Sequence, residues 1–297
     1  MIDPVMDANI IGMAAALGSA MSWALGSVLF RRLGDHLPPV ALTFAKGITG
    51  VALLGVAVLI VGFEPLDTDA WLLLIFSGLL GIALGDTLFF LALNSLGAHV
   101  VVILFTLGQV LTVILAVIWL GEQPHSQDWA GIALILIGIA VVMWSRIGGE
   151  EGQTRIAGVA YGLLSVVAMS VSIIIAKEAL ETTGTVQATF IRLLSGTIGI
   201  FMFGQFSGRL FSGLKALRQP PVFGLFLVSV TIVTFGGFWL SLAAIAHVDV
   251  AIANTLSATE PLFVLPLAAF LLKERITAPV VLGSLTTVAG IILIVAS

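Results

Sequence analysis

The feature that most limits what this chain can fold into is a row of apolar stretches, each about as long as a bilayer is thick. A membrane-crossing helix needs roughly 20 consecutive, mostly apolar residues. Ten such stretches run at about 10–30, 38–62, 71–93, 98–120, 128–145, 156–178, 185–206, 222–245, 250–272 and 278–296. The joints between them are short and carry turn or breaker residues, such as Gly34-Asp35 before Pro38-Pro39, Glu64-Pro65, Gly97, Pro124, Gly148-Gly149, Gly184 and Pro220-Pro221. Of the 297 residues, 59% are hydrophobic and 9% charged, whereas soluble domains carry about a quarter charged residues. No soluble core could use so much apolar surface. The expected class is therefore an all-α polytopic membrane protein with ten transmembrane helices and the lipid bilayer as its main partner. With no cysteine, disulfide and thiolate chemistry are excluded. No basic patch suggests nucleic acid. The opening MIDPVMDANIIG has two aspartates and no basic residue, so it is not expected to act as a secretory signal.

The charged joint Arg146 to Arg155 divides the chain into residues 1–150 and 151–297, five apolar stretches each. The halves read as copies. Leu42-Thr43-Phe44-Ala45-Lys46 matches Ala188-Thr189-Phe190-Ile191-Arg192, and Gly50 matches Gly196. Gly12 and Ser19 match Gly158 and Ser165, and Gly131 and Gly138 match Gly283 and Gly290. An odd number of helices per copy makes the second copy enter the membrane from the opposite side. The expectation is two inverted five-helix repeats, a common construction for alternating-access transporters.

Within the copies one stretch stands out. Asn254–Arg275, NTLSATEPLFVLPLAAFLLKER, holds a carboxylate, Glu260, near its middle with Pro261 next to it. The earlier copy, Phe105–Gln123, has Gly108-Gln109 at that place, and its Glu122 matches Glu274.

These features resemble the EamA family of the drug/metabolite transporter superfamily. The likeness rests on two five-helix repeats whose fourth helices end near a glutamate, Leu120-Gly121-Glu122 and Leu272-Lys273-Glu274-Arg275. It rests also on the matched Thr-Phe-Ala-Lys and Thr-Phe-Ile-Arg segments and on Gly85-Asp86-Thr87-Leu88-Phe89-Phe90-Leu91-Ala92-Leu93. The resemblance covers nearly the whole chain and extends to bacterial aromatic amino acid exporters of the YddG type, which the chain is expected to resemble in structure. It implies a secondary transporter that exports small metabolites, often amino acids, from a bacterial inner membrane. It also implies a central cavity between the first four helices of each half, with the fifth and tenth helices outside. No cofactor or metal is expected, and a single chain is expected to suffice.

Ionisable groups inside a bilayer are costly, so each is a candidate site. Lys46 and Arg192 lie about eight residues into matched helices, roughly 12 Å along the axis. They could recognise a substrate carboxylate, or pair with Asp86 or Glu260. These two acids could bind a substrate ammonium, carry a coupling proton, or neutralise the cations. Trp23, Phe90, Tyr161 and Trp239 lie in helices expected to line the cavity, as does Phe238; aromatic walls suit an apolar or aromatic substrate. Gln109 and Asn254 could hydrogen-bond substrate or a neighbouring helix.

Two other function classes fit the sequence less well. Gly85-Asp86 inside a helix has the form of an intramembrane aspartyl protease motif, but that chemistry needs two aspartates sharing a site. No second aspartate lies deep in an apolar stretch and no HExxH metal motif is present, so an enzyme is not expected. A passive channel for small solutes is the remaining alternative. No GxxxxGK loop exists, so ATP is not the direct energy source.

The basic residues set the expected orientation. Numbering joints from the N-terminus, the odd ones carry nine lysines and arginines, and the even ones and termini carry only Lys177. Basic residues in short loops favour the cytoplasm, which places both termini outside, whereas the family resemblance places them inside. We expect the charges to prevail. The check is single cysteines at positions 67 and 145 in this cysteine-free chain, with an impermeant thiol reagent applied to intact cells. Labelling at 67 and protection at 145 is the expected result; the reverse pattern would refute it.

Overall fold

The computed structural model describes residues 4–121, 126–147, 152–207, 210–257, 259–273 and 277–295. Among these the regular structure is entirely helical. In chain order the main helices are α1 (Pro4–Gly34), α2 (Pro39–Val61), α3 (Thr68–Leu96) and α4 (Ala98–Leu115, continued by a wide π turn over Ala116–Leu120). Then come α5 (Ser126–Ile147), α6 (Gly152–Ala179), α7 (Thr185–Ser207), α8 (Pro220–His247), α9 (Val250–Ser257), α10 (Glu260–Leu271) and α11 (Ala278–Val295). Among the described residues six spans are long and apolar enough to cross a membrane: Asn9–Gly34, Pro39–Val61, Thr68–Leu96, Ile156–Ala179, Thr185–Gly204 and Pro220–His247. The chain is an all-α, multi-pass integral membrane protein.

Helices follow from the solvent. Hydrocarbon offers no hydrogen bonds, so backbone groups must be satisfied within each segment. The joints break that pattern by local chemistry. Gly62 (φ 102°) and Gly97 (φ 84°) adopt a backbone conformation that disfavours side chains, and they end α2 and α3. Their N–H groups still donate to Val58 O and Leu93 O. Asp67 caps α3, its Oδ1 accepting from Ala70 N at 2.7 Å. Prolines occupy the first turns of α2 and α8, where the missing N–H is not needed.

Two features depart from a reading of uniform apolar spans. Helices α3 and α8 widen into π-helical segments, Leu79–Asp86 and Ile232–Trp239. The ninth apolar stretch is two helices rather than one. The chain restarts at Glu260, with Pro261 in the first turn of α10 unable to donate to the turn before it. Thr259 covers the joint, its N–H and Oγ1 both donating to Leu256 O, at 3.1 and 2.7 Å.

Small residues set the close helix contacts. A Cβ on Gly138 of α5 would lie 2.4 Å from Gly283 O of α11, and one on Gly290 would lie 2.5 Å from Gly131 O. Gly12 of α1 meets His247 and Val248 at the end of α8, while Gly158 of α6 meets Ser95 and Leu96 at the end of α3. Lys177, at the end of α6, donates to Ile245 O near the end of α8 at 2.5 Å. Helix α1 thus begins, and α6 ends, beside the same end of α8, so α1 and α6 run in opposite directions. Two buried serines donate into the π segments: Ser19 Oγ to Gly237 O at 3.0 Å and Ser165 Oγ to Gly85 O at 2.7 Å.

Gly138→Leu forces a large side chain against backbone, and such overpacking costs about 1–3 kcal/mol or more. Gly224→Ala, where nothing lies within 4 Å, is the control. The expected outcome in detergent is a lower thermal midpoint for G138L and none for G224A. Equal midpoints for the two variants would refute the close contact.

Candidate functional site

A cavity of about 140 Å³ lies inside the bundle. Its wall draws on α1, α3, α4, α6, α7, α8, α9 and α10, and on no described residue of α2, α5 or α11. Much of the lining is apolar or aromatic. Trp23 and Phe238 meet edge to face at a 4.9 Å centroid distance, and Phe89 and Phe105 do so at 5.0 Å. Hydroxyls of Ser19, Thr112, Ser170, Ser172, Ser241 and Ser257 supply polar groups. One cation, Arg192, and one carboxylate, Glu260, complete the lining.

Arg192 is 6% exposed. Its Nη2 donates to Ser172 Oγ at 3.0 Å, and its Nε has no partner among the described residues. The backbone beneath it is held by a close pass of α3, where a Cβ on Gly78 would lie 2.2 Å from Arg192 O. The guanidinium is therefore a buried, fixed, incompletely satisfied donor set facing a cavity. A planar guanidinium suits a carboxylate or phosphate oxygen pair. Glu260 opens α10, immediately before the proline that separates it from α9. It is half-buried, and no cation pairs with it among the described residues.

The other charged pair lies one layer back. Lys46 Nζ donates to Asp86 Oδ2, both side chains being 1% exposed. The ammonium also sits over two rings, 4.7 Å from the Phe238 centroid and 5.3 Å from that of Phe90. Phe238 faces the cavity with its other contacts, so the ion pair stands behind the wall. A buried pair of this kind is weak evidence for stability, but removing one partner strands a charge.

Of the candidate residues read from sequence, the structure brings Trp23, Arg192, Asn254 and Glu260 together around the cavity. Asn254 spends its side-chain amide on Val250 O at 2.9 Å. Lys46 and Asp86 are brought to each other instead. Phe90 is buried under Lys46 and edge-on to Phe30 and Phe89. Tyr161 packs against the same core. Trp239 Nε1 donates to Thr185 Oγ1 at 3.3 Å. The side chain of Gln109 lies outside the described residues. Ser172, Phe89, Phe105 and Met169 line the cavity without having been singled out. Serine and phenylalanine are too common in apolar helices to signal a site by type alone.

The Lys46–Asp86 pair generates a stability test. Asp86→Leu or Lys46→Met alone strands a buried charge at a cost of about 3–5 kcal/mol, whereas the double change replaces the pair with apolar groups. The double variant is expected to melt well above either single variant. Additive losses would show that the two groups do not act as a pair.

Comparison with known proteins agrees with this architecture. The model of the EamA-like transporter family matches twice, over residues 10–144 and 156–296. An uncharacterized transporter of Clostridium kluyveri is 24% identical over 73% of this chain and 69% of its own. The uncharacterized transporter YvbV of Bacillus subtilis is 30% identical over 45% of each chain. The uncharacterized transporter YxxF of the same organism is 26% identical over 44% of this chain and 45% of its own. The matches to the two Bacillus proteins thus span under half of each. A solved crystal structure aligns with a TM-score of 0.55 over 97% of this chain and 96% of that one, at 18% identity, a likeness in fold alone. The chain belongs to the EamA-like transporter family, within the drug/metabolite transporter superfamily.

Proposed function

We propose that this membrane transporter is a secondary active exporter of small metabolites, amino acids foremost. It works by alternating access through the cavity between two inverted repeats, residues 1–150 and 151–297. The observation that carries this reading is the cavity's pairing of a buried, incompletely satisfied Arg192 with Glu260 on a largely apolar wall. Arg192 takes the substrate carboxylate, Glu260 takes the ammonium, and the aromatic wall takes an apolar side chain. Glu260 is also the one carboxylate among the described lining residues, which suits it to carry a coupling proton. The bacterial relatives favour a bacterial inner membrane.

Reciprocal contacts support the repeat. Gly138 meets Gly283 while Gly290 meets Gly131; Ser19 bonds Gly237 while Ser165 bonds Gly85. A Cβ on Gly237 would meet Trp23, and one on Gly85 would meet Met169. In each case the two halves exchange roles, as a two-fold axis in the membrane plane requires. The same register aligns Asp86 with Phe238. The first half therefore neutralises its own cation, and the second half has no acid at the matching place to neutralise Arg192. That asymmetry favours a substrate with a negative group.

Arg192→Ala is expected to abolish counterflow of a labelled amino acid panel in proteoliposomes at normal protein levels, while Gly224→Ala retains it. Normal flux in R192A, or no amino acid in the panel moving with the unaltered protein, would reject the reading. A passive facilitator is separated by uphill flux driven by a proton gradient, which a channel cannot support.

A further inference from the structure

Two serines behind Arg192 form a unit whose purpose packing alone does not explain. Ser77 Oγ of α3 donates to Ser172 O of α6 at 2.7 Å, and Ser172 Oγ donates to Ser77 O at 2.8 Å. The two hydroxyl oxygens lie 3.1 Å apart, and both residues are fully buried. This reciprocal pair already ties α3 to α6. Ser172 has a second task, because its Oγ also accepts from Arg192 Nη2 at 3.0 Å. Opposite stands Gly81, also on the cavity wall. A Cβ there would lie 2.2 Å from Ser172 Oγ and 3.7 Å from Arg192 Nη2. The hydroxyl occupies the room that a side chain at position 81 would take.

We infer that Ser172 is a positioning residue for the anion subsite, fixing the guanidinium of Arg192 at the cavity wall so that its remaining N–H groups receive a substrate carboxylate. The inference rests on the reading of Arg192 given above. Arginine has five N–H donors in a rigid fork. Ser172 takes one donor at one end, and Nε has no partner among the described residues. Ser77 accepts the Ser172 proton, so the Ser172 oxygen presents a lone pair to Arg192 rather than a competing donor. Gly81, lacking a side chain, leaves room for the Ser172 hydroxyl. Without the Ser172 hydroxyl the guanidinium keeps its charge but loses its fixed orientation, so discrimination for a planar anion should fall further than affinity for an uncharged ring of the same shape.

The test uses the purified full chain, with benzoate and benzamide as probes and tryptophan fluorescence as the signal, since Trp23 lines the cavity against Phe238. The unaltered protein is expected to prefer benzoate. Ser172→Ala should weaken benzoate up to about tenfold, because the guanidinium must then be immobilised on binding, and leave benzamide unchanged. Ser77→Ala removes a hydroxyl from the same helix contact but not from Arg192, and should keep the preference. Should S172A fail to fold, Gly81→Ala displaces the Ser172 hydroxyl and is expected to give the same selective loss. A benzoate preference that survives in S172A, or in G81A where S172A does not fold, overturns the role of Ser172. So does an equal loss in S77A, which would reduce Ser172 to packing. No benzoate preference in the unaltered protein would instead defeat the anion subsite itself.

Discussion

A bilayer interior cannot solvate a charge, yet among the described residues Lys46, Asp86 and Arg192 are buried within membrane-length spans, and Glu260 lines the cavity with Arg192. Everything around the cavity follows from how each is treated. Lys46 and Asp86 are joined to one another, with Phe90 and Phe238 against the ammonium. Arg192 and Glu260 are not joined in this way. Both face the cavity, and among the described residues the first has a serine hydroxyl as its side-chain partner. Solvent or substrate must complete them. A protein that needed only to be stable would use apolar groups at all four places, since well-packed apolar residues often match or exceed a buried ion pair in stability.

The helical architecture was legible because its cause is local. Apolar length and breaker residues act on the segment that contains them, so nearly every boundary falls within a few residues of its hydropathy edge. The same logic exposed Lys46, Asp86, Arg192 and Glu260, because a charge is conspicuous where charges are costly. What the sequence did not reveal was partnership. Lys46 and Arg192 occupy matched positions and look equivalent, yet one meets an aspartate and the other meets a cavity. The difference lies in residue 86 against residue 238, and it becomes visible only once the register of α3 against α8 is known. Periodicity gave no help, because helices that are apolar on every face carry no stripe to read.

The wide turns in α3 and α8 were also invisible beforehand. π-helical segments are rare and cluster at functional places in helices. Here each one supplies a carbonyl, Gly85 O or Gly237 O, to a serine from a neighbouring helix. Trp239 ends one segment and Asp86 ends the other. Both segments lie beside the cavity wall, which includes Gly81, Ile82 and Phe238. The π segments of α3 and α8 thus border the cavity, whereas the π turn of α4 carries the exposed Ile118 and Trp119.

The seam between α5 and α11 carries a consequence for how this sequence can vary. At Gly138 and Gly290 the facing atoms are carbonyl oxygens of Gly283 and Gly131. A bulky residue against a side chain can be accommodated by trimming that side chain; a bulky residue against a peptide group cannot. Neither helix therefore offers a second-site change that would rescue a larger residue in the other. The seam behaves as a spine of fixed spacing, and whatever rearranges in the rest of the bundle must do so without altering it.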